Sequence, residues 1–424
     1  MSFTLPITPE TITRTVLDNG IVLLLKQNPH NPSISLRGRL RAGALYDTNA
    51  TSGLANFSTI ACARGTARRT FQDLNAEMDR SAMSLSFVAG MEMIGFGAKS
   101  LTADFDHLLD VMADVLMHPA YAEDEVVKLR RELVNGLEQA NQNTQQVAYR
   151  EFRSLCYPAF HPYHRLAEGR IESIQSLTRD ALTEFHAHYF RPDMMTICLI
   201  GDILPEQAID KMVHALGDWK ATGVPSEHCI PDAPNPSTVI RHDSAIPGKT
   251  QVDLVLGSVG IRRTDPDYDA LNLGDLIHGR LGLFGRLGAK VRDQQGLAYY
   301  VFSGVEVGLG PGPWTVRAGV NPQNLSRALE SILAELRRLS TEPVMREELD
   351  DAYSFLTGSL ALRLETNDGI AAMLSDIELY QLGLDYLQRY PTMLKAISAE
   401  QILAAVQARA MHENYVLSIA GPEN

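Results

Sequence analysis

The chain has 424 residues, of which 45% are apolar and 21% charged, so its composition is that of a globular protein and excludes a disordered or low-complexity one. The formal net charge of −13, without any lysine- and arginine-rich segment, argues against nucleic acid or an anionic membrane surface as a partner. The four cysteines are widely separated and form no CxxC pair, which favours a reducing compartment. The longest apolar run, residues 194–200, is too short to cross a bilayer, and we therefore expect a soluble, cytoplasmic protein.

The first half of the chain combines a strand pattern with helix patterns. Residues 33–43 alternate apolar and polar side chains, as half-buried strands do. Residues 106–116 have helical apolar spacing, and a second amphipathic helix with an acidic start is predicted over 122–139. This mixture predicts an α+β domain, in which helices pack on one face of a sheet.

The second half repeats this pattern about 220 residues later. Residues 191–202 resemble 411–422, since each is a polar lead-in followed by an apolar β-rich run and a glycine. The helix pattern of 106–116 recurs at 326–336, and each is followed by a helix with an acidic start, in the second case over 345–361. Three matches in the same order at a near-constant offset indicate an internal duplication.

The two repeats are separated by a segment with a different composition. Residues 218–238 contain four prolines and many polar side chains, which is typical of an extended linker. Beyond it, residues 251–257 alternate like a half-buried strand. We therefore predict a first α+β domain over 1–220, a linker over 221–238 and a second, homologous domain over 239–424.

No familiar catalytic motif is complete in the sequence. None of the twelve histidines begins an HExxH or HxxEH motif, and His161, His164, His186 and His188 have no carboxylate at helical spacing, so we interpret them as structural. A GxSxG nucleophile motif and a P-loop are also absent. The glycine-rich residues 279–288 are interpreted as a flexible or closely packed loop.

One segment of the second half, residues 285–304, does suggest chemistry. It joins a short helix, a turn at Gly296 and a β-rich run, and Arg292 and Tyr299 flank the turn. The guanidinium fork and the phenolic hydroxyl could bind a peptide carbonyl or a developing oxyanion. Taken alone, however, an exposed arginine beside a strand tyrosine is more often structural.

The same segment resembles the second-half signature of the M16 (pitrilysin or insulinase) metallopeptidase family, which is approximately SRLFxELRExxGLAYS. Here residues 285–299 are GRLGAKVRDQQGLAY. The chain is similar to the short bacterial M16B-type subunits related to mitochondrial processing peptidase. This resemblance implies two homologous α+β domains, each a mostly antiparallel sheet with helices on one face. It extends over nearly the whole chain, through residues 15–25, 41–57, 63–66, 161–169 and 188–202.

The sequence departs from this family where its active members bind zinc. After Gly-Leu-Ala, active members have His-x-x-Glu-His, whereas Asn56, Thr59 and Ile60 occupy these three positions here. The distal glutamate ligand is expected near residues 135–137, where no carboxylate occupies the aligned place. The resemblance therefore implies that this chain has no metal site and no cofactor of its own.

In heterodimeric members of the family, a chain without the zinc motif keeps the arginine and the tyrosine and pairs with a zinc-binding subunit. Arg292 and Tyr299 match this pair with the same separation. The resemblance implies that they bind substrate and stabilise the oxyanion in a composite active site, and that residues 279–288 guide substrate. The predicted function is a noncatalytic subunit, inactive alone, of a heterodimeric zinc endopeptidase that acts on unfolded peptides, with zinc in the partner.

A second hypothesis comes from a different functional class. The chain could be a catalytically inert structural or binding protein, similar to the respiratory-complex core proteins of the family. The presence of Arg292 and Tyr299 favours the subunit hypothesis, because a scaffold has little need of that pair. An independent hydrolase with another kind of site is the least favoured, since no triad or metal cluster can be assembled.

Overall fold

The computed structural model describes residues 7–224, 229–409 and 411–423. The strands of this part are β1 (Thr13–Val16), β2 (Val22–Gln27), β3 (Ser33–Leu40), β4 (Ser84–Ala89), β5 (Ile94–Leu101), β6 (Met195–Gly201), β7 (Ile240–Ala245), β8 (Val252–Val259), β9 (Ala298–Val305), β10 (Pro313–Val320) and β11 (Val416–Gly421). Its α-helices are α1 (Leu54–Cys62), α2 (Phe71–Arg80), α3 (Phe105–Met117), α4 (Glu123–Asn141), α5 (Thr144–Cys156), α6 (Ile171–Ser176), α7 (Arg179–Tyr189), α8 (Pro205–Leu216), α9 (Tyr268–Asp275), α10 (Leu325–Thr341), α11 (Arg346–Arg363), α12 (Asn367–Leu379), α13 (Tyr386–Lys395) and α14 (Ala399–Gln407). None of these helices is long and apolar enough to span a membrane.

The first half of the chain forms a six-stranded sheet in the order β1-β2-β6-β3-β5-β4. Only β2 and β6 are parallel, and the other neighbours are antiparallel. The alternation predicted for residues 33–43 is present in β3, where Ile34, Leu36 and Leu40 are buried in the hydrophobic core. Helices α1, α3 and α8 supply the other side of this core, so one face of the sheet is covered as predicted.

The second half forms a five-stranded sheet in the order β7-β11-β8-β10-β9. Strands β7 and β11 are parallel, and the other neighbours are antiparallel. Apart from the additional β1, both sheets therefore have the same strand order and the same directions. This agreement confirms the α+β class, the mostly antiparallel sheets and the duplication, because each strand of the second sheet follows its counterpart by about 220 residues.

Each sheet is also covered on its other face, by one helix from the opposite half of the chain. Helix α12 packs on β3 and β6, whereas its counterpart α5 packs on β8 and β11, the equivalent strands of the second sheet. The sequence predicted helices on one face only, and the structure adds these two. Their apolar residues, such as Phe152 of α5 and Leu374 of α12, are fully buried. The halves therefore exchange equivalent helices.

This exchange determines how the chain divides into compact units. Unit 1 comprises the described residues of 1–137, 166–228 and 359–389. Unit 2 comprises the described residues of 138–165, 229–358 and 390–424. The units follow packing, whereas the predicted domains follow the order of the chain. The two divisions differ because each half contributes a helix to the other sheet, and the linker boundaries stay a prediction.

Candidate functional site

The helix at the position of the family's zinc motif is α1, in unit 1. It begins after Gly53, which has φ +93° in the left-handed region that favours glycine. The Asp47 carboxylate accepts hydrogen bonds from the backbone N–H groups of Gly53, at 2.8 Å, and Ala55, at 3.1 Å. A carboxylate at the positive end of a helix stabilises it, so the local sequence forms a regular α1 without any metal ligand.

The side chains of α1 do not fit a zinc ion. Asn56 and Ile60 are half-buried, and Thr59 is fully buried with a hydroxyl that lacks a hydrogen-bond partner among the described residues. Burial raises the pKa of the Cys62 thiol far above its ordinary value, so this sulfur stays protonated. Within the described ranges, no group of three or more His, Cys, Asp or Glu side chains could hold a metal ion.

The neighbouring helix α4 does not supply the missing carboxylate. Gly136 lies in the stretch 135–137 where the distal glutamate is expected, and a Cβ there would meet nothing within 4 Å. Of the two carboxylates that flank this place along the helix, Glu138 is exposed, and Glu132 accepts a hydrogen bond of 3.2 Å from Arg64, which also lies 3.8 Å from Glu125. A carboxylate already paired with a guanidinium is a poor metal ligand, and the residues present therefore do not fit the family's zinc site.

The histidine clusters have structural contacts. The Nδ1 atom of His161 accepts from a backbone N–H, and its Nε2 atom lies 3.0 Å from a backbone carbonyl oxygen. His164 and His186 each have a ring nitrogen 3.0 Å from a carbonyl oxygen, and the ring of His188 packs edge-on against Tyr189. Burial lowers the pKa of His186 to about 4, so this imidazole is neutral. These contacts support the structural interpretation.

In unit 2, the structure brings the predicted pair to the two sides of a tight turn. Arg292 lies in a π-helical segment, Gly288–Gln294, and Tyr299 lies at the start of β9. Between them Gly296 has φ +61°, a conformation that an L-residue rarely adopts, so the predicted turn is present. Both side chains are exposed, Tyr299 to 58%. Within the described part of the chain, neither side chain makes a hydrogen bond or an ion pair.

An irregularity in β9 distinguishes Tyr299 from the adjacent tyrosine. The pairing with β10 passes from Gly319–Tyr300 to Val320–Ala298, which leaves Tyr299 without a partner residue on β10. Such a bulge changes the direction of a side chain, and bulges are common next to active sites. The hydroxyl of Tyr300, by contrast, donates to a buried carboxylate. Tyr299 is therefore the tyrosine whose hydroxyl is available to a ligand.

The glycine-rich segment 279–288 is closely packed rather than flexible. A Cβ on Gly279 would lie 2.4 Å from a backbone nitrogen of β9, and one on Gly288 would lie 1.9 Å from the Gly282 carbonyl oxygen. This packing supports a short turn at which Leu283 is 48% and Phe284 is 93% exposed. Neither residue was predicted from the sequence as a site residue, although a pair of large apolar residues between glycines was a visible signal.

Two polar contacts support the glycine-rich segment and the helix that precedes it. The Arg286 guanidinium donates two hydrogen bonds of 2.7 Å to the Glu348 carboxylate, a bidentate geometry. The Trp314 indole N–H donates to Asp275 at 2.8 Å, just before the π-helical segment Leu276–Arg280. Sequence reasoning missed these contacts, because the paired residues are about 40 to 60 positions apart.

The fold and these sites define a duplicated, two-domain peptidase-like protein. In its first half, α1 stands at the position of the zinc motif but has no metal ligands, and its second half exposes an arginine and a tyrosine. Comparison with known proteins agrees with this class. The profile described as Insulinase (Peptidase family M16) matches residues 22–160, and the profile described as Peptidase M16 inactive domain matches residues 176–356. The chain belongs to the M16 peptidase family.

Individual relatives and structures match along nearly the whole chain. An uncharacterized zinc protease of Bacillus subtilis, YmxG, is 23% identical over 97% of this chain and 98% of its own length. The crystal structure of a peptidase M16 inactive domain from Pseudomonas fluorescens has a TM-score of 0.91 and 25% identity, and covers 97% of this chain and 98% of that one. A protease from Helicobacter pylori has a TM-score of 0.89 at 18% identity, covering 97% and 99%, which shows the fold alone.

Proposed function

We propose that this chain is the noncatalytic, substrate-binding subunit of a heterodimeric zinc endopeptidase of the cytoplasm that cleaves unfolded peptides. It is inactive alone, and its partner is a second M16 chain that carries His-x-x-Glu-His and the zinc. Membership of the M16 family and the similarity to an M16 inactive domain support the peptidase-like, noncatalytic part of this proposal.

The observation that carries the proposal is the exposed, unpaired state of Arg292 and Tyr299 on either side of Gly296. Within the described part of the chain, neither side chain uses its polar atoms in a hydrogen bond or ion pair, so both are available to a ligand. In the same chain, Asn56 and Ile60 stand where two histidine ligands would be required. The chain thus offers groups for substrate contacts but no metal ligands. This combination is expected of a subunit that shares a composite active site with a zinc-binding partner.

The two side chains have different chemical roles in this proposal. The phenolic hydroxyl of Tyr299 donates a hydrogen bond to the oxyanion that develops when the scissile carbonyl is attacked. The guanidinium of Arg292 donates to a carbonyl oxygen of the peptide, or binds a carboxylate through two parallel hydrogen bonds. The exposed Leu283 and Phe284 offer an apolar surface that guides the peptide.

The test is cleavage of a fluorogenic peptide by the chain mixed with its co-purified zinc-bearing partner. Because removal of one oxyanion donor typically costs 10²–10³ in rate, we expect Tyr299→Phe to lower kcat by roughly that factor. Arg292→Ala is expected to raise KM more than it lowers kcat, since its contact forms in the ground state. Asn56→Ala, in the motif helix, is the matched control and leaves both constants unchanged.

Two further measurements define the outcomes. Size exclusion checks that each variant still assembles with the partner, and elemental analysis checks that the partner retains its zinc. Full activity of both Arg292→Ala and Tyr299→Phe in an intact complex would contradict the proposal and favour the inert structural or binding homologue. Cleavage by this chain alone would contradict its assignment as a noncatalytic subunit.

A further inference from the structure

Three residues on three neighbouring strands of the second sheet form one row across it. Asp253 on β8 pairs with Gly319 on β10, and Gly319 pairs in turn with Tyr300 on β9. The hydroxyl of Tyr300 donates to the Asp253 carboxylate, so the tyrosine side chain spans the strand that lies between them. We name these three residues the cross-strand row.

The glycine at the centre of the cross-strand row is required by space. A Cβ on Gly319 would lie 2.4 Å from a ring carbon of Tyr300 and 2.8 Å from the amide nitrogen of Gln251. The Tyr300 ring therefore lies directly against the backbone of β10. Glycine inside a strand often marks such a close approach.

The carboxylate at the far end of the row holds the Tyr300 hydroxyl. Asp253 is 2% exposed and accepts two further donors, the Thr144 hydroxyl and the Gln251 amide, which lies 3.0 and 3.1 Å from the two carboxylate oxygens. Burial raises the pKa of the Tyr300 phenol, so this hydroxyl stays protonated and donates. Because a buried acceptor is costly to leave unsatisfied, the contact favours a single position of the tyrosine ring.

The bulge of β9 begins immediately beside the cross-strand row. After the pair of Gly319 and Tyr300, the next pair is Val320 with Ala298. Tyr299 is the extra residue between these two pairs. A regular ladder would instead pair Val320 with Tyr299, and a change of register by one residue moves side chains to the other face of a sheet. The position of Tyr300 thus determines which residue of β9 is left over.

We propose that Tyr300, held by Asp253, is the positioning residue for Tyr299. The cross-strand row fixes the register of β9 at the bulge, and the bulge keeps the Tyr299 side chain exposed beside the turn at Gly296. Tyr300 does not touch the substrate and acts only through Tyr299. The effect on catalysis rests on the proposed function, whereas the positioning is a property of this chain alone.

Fluorine NMR of the chain without a partner tests the positioning. With 3-fluorotyrosine in place of tyrosine, the resonance of residue 299 is the one that Tyr299→Phe lacks. Tyr300→Phe keeps the ring and removes the hydroxyl, and we expect it to split or broaden this resonance, because β9 then has more than one register. Gly319→Ala, which places a Cβ where the Tyr300 ring lies, is a second variant with the same expected result.

Tyr157→Phe is the matched control for both substitutions. Its hydroxyl also makes a buried hydrogen bond, of 2.9 Å, but to the carbonyl oxygen of Pro311, at the end of β10 away from the bulge. The control therefore removes a comparable contact without touching the cross-strand row. We expect it to leave the residue 299 resonance unchanged.

Kinetics of the complex with the zinc-bearing partner test the consequence for catalysis. Because a misplacement of about 1 Å can cost about 10²-fold in rate, we expect Tyr300→Phe to lower kcat about tenfold and to leave KM within about twofold. The same substitution made in Tyr299→Phe is expected to have no further effect, since the hydroxyl through which it acts is gone. A merely structural role would lower kcat in both backgrounds.

The outcomes separate this inference from the proposed function. An unchanged residue 299 resonance in both Tyr300→Phe and Gly319→Ala would overturn the positioning. So would an equal loss of kcat with and without the Tyr299 hydroxyl, or full kcat in Tyr300→Phe where Tyr299→Phe lowers it. If Tyr299→Phe alone retains full kcat, the proposed role of Tyr299 in the composite site fails, and the fluorine resonance still decides whether Tyr300 positions it.

Discussion

The two halves of this chain have the same sheet topology, but their outer edge strands present different side chains. Strand β4 of the first half exposes Ser84, Ser86 and Val88, whereas its counterpart β9 exposes Tyr299 to 58% and Phe302 to 38%. The strand order and directions are the same in both sheets. A duplicated fold therefore does not duplicate function, because chemistry depends on the side chains placed on it.

The halves also differ where the first has α1. At the equivalent place the second half has α9 followed by the π-helical segment Leu276–Arg280, which leads into the glycine-rich segment. Irregular helical segments of this kind are frequent at functional sites. The comparison indicates that the second half carries the candidate site, and four predictions test how far the two halves differ.

The largest effect is expected in the glycine-rich segment of the second half. Gly288→Ala would place a Cβ 1.9 Å from the Gly282 carbonyl oxygen, so backbone must move, and we expect the free energy of unfolding to fall by about 3 kcal/mol. Gly304→Ala on β9 is the control, because nothing lies within 4 Å of its Cβ. Denaturant unfolding measures both, and equal effects would show that the segment is not closely packed.

An acid-dependent loss of stability is expected from the second half. Burial, with the positive charge of Arg286, lowers the pKa of His278 to about 3, against about 6.5 in an unfolded chain. As the pH falls below 6.5, the His278 imidazole binds a proton in the unfolded state but stays neutral in the folded state. The free energy of unfolding therefore decreases towards pH 3. At pH 5 this residue accounts for a loss of about 2 kcal/mol.

Urea unfolding at pH 7 and pH 5 checks this expectation. His278→Leu is expected to lose about 2 kcal/mol less between these pH values than the unsubstituted chain. His118→Gln, on an exposed side chain of the first half, provides the comparison. An unchanged pH dependence in His278→Leu would show that this imidazole does not limit stability in acid.

The exchanged helices are expected to depend on different kinds of contact. In unit 2, the hydroxyl of Thr144 on α5 donates to the carboxylate of Asp253, a residue that is 2% exposed. In unit 1, Asp368 on α12 pairs with Lys99 at 3.0 Å, and both side chains are more than half exposed. Thr144→Val should cost about 1–2 kcal/mol, because a buried carboxylate loses a donor.

Asp368→Asn should cost less than about 1 kcal/mol, since exposed ion pairs contribute little, and that cost should vanish in 1 M salt. Thermal unfolding of both variants at low and high salt provides the measurement. A salt-independent cost for Asp368→Asn, or a negligible one for Thr144→Val, would show that the two helices are anchored in the same way.

The smallest effect is expected from restoring the zinc motif in the first half. The combination of Asn56→His, Thr59→Glu and Ile60→His should bind zinc weakly, because Gly136 still supplies no carboxylate and position 59 is fully buried. Elemental analysis after dialysis against a mild chelator, together with a peptide-cleavage assay of the chain alone, measures the result. Efficient zinc-dependent cleavage by this triple variant without a partner would show that the missing distal carboxylate does not limit activity. A variant with Gly136→Glu added to the three substitutions provides the comparison.

Much of the architecture was predictable because it depends on neighbours in the sequence. The alternation over residues 33–43 predicted β3, and the helical spacing over 326–336 predicted α10, since side-chain periodicity reflects which face of an element is buried. Repetition of these patterns predicted the duplication. That positions 56 and 60 carry no histidine to bind zinc is likewise read directly from the residue types.

The sequence by itself therefore determined the α+β class, the two related halves and the residues available for chemistry. Only the tertiary structure decided that α5 and α12 pack on the sheets of the opposite halves, because an amphipathic helix does not specify which apolar surface will cover it. Likewise, the bulge that leaves Tyr299 unpaired, and the packing that exposes Phe284, depend on contacts between residues distant in sequence. These contacts form only when the chain has folded, and the periodicity of apolar residues along the chain does not predict them.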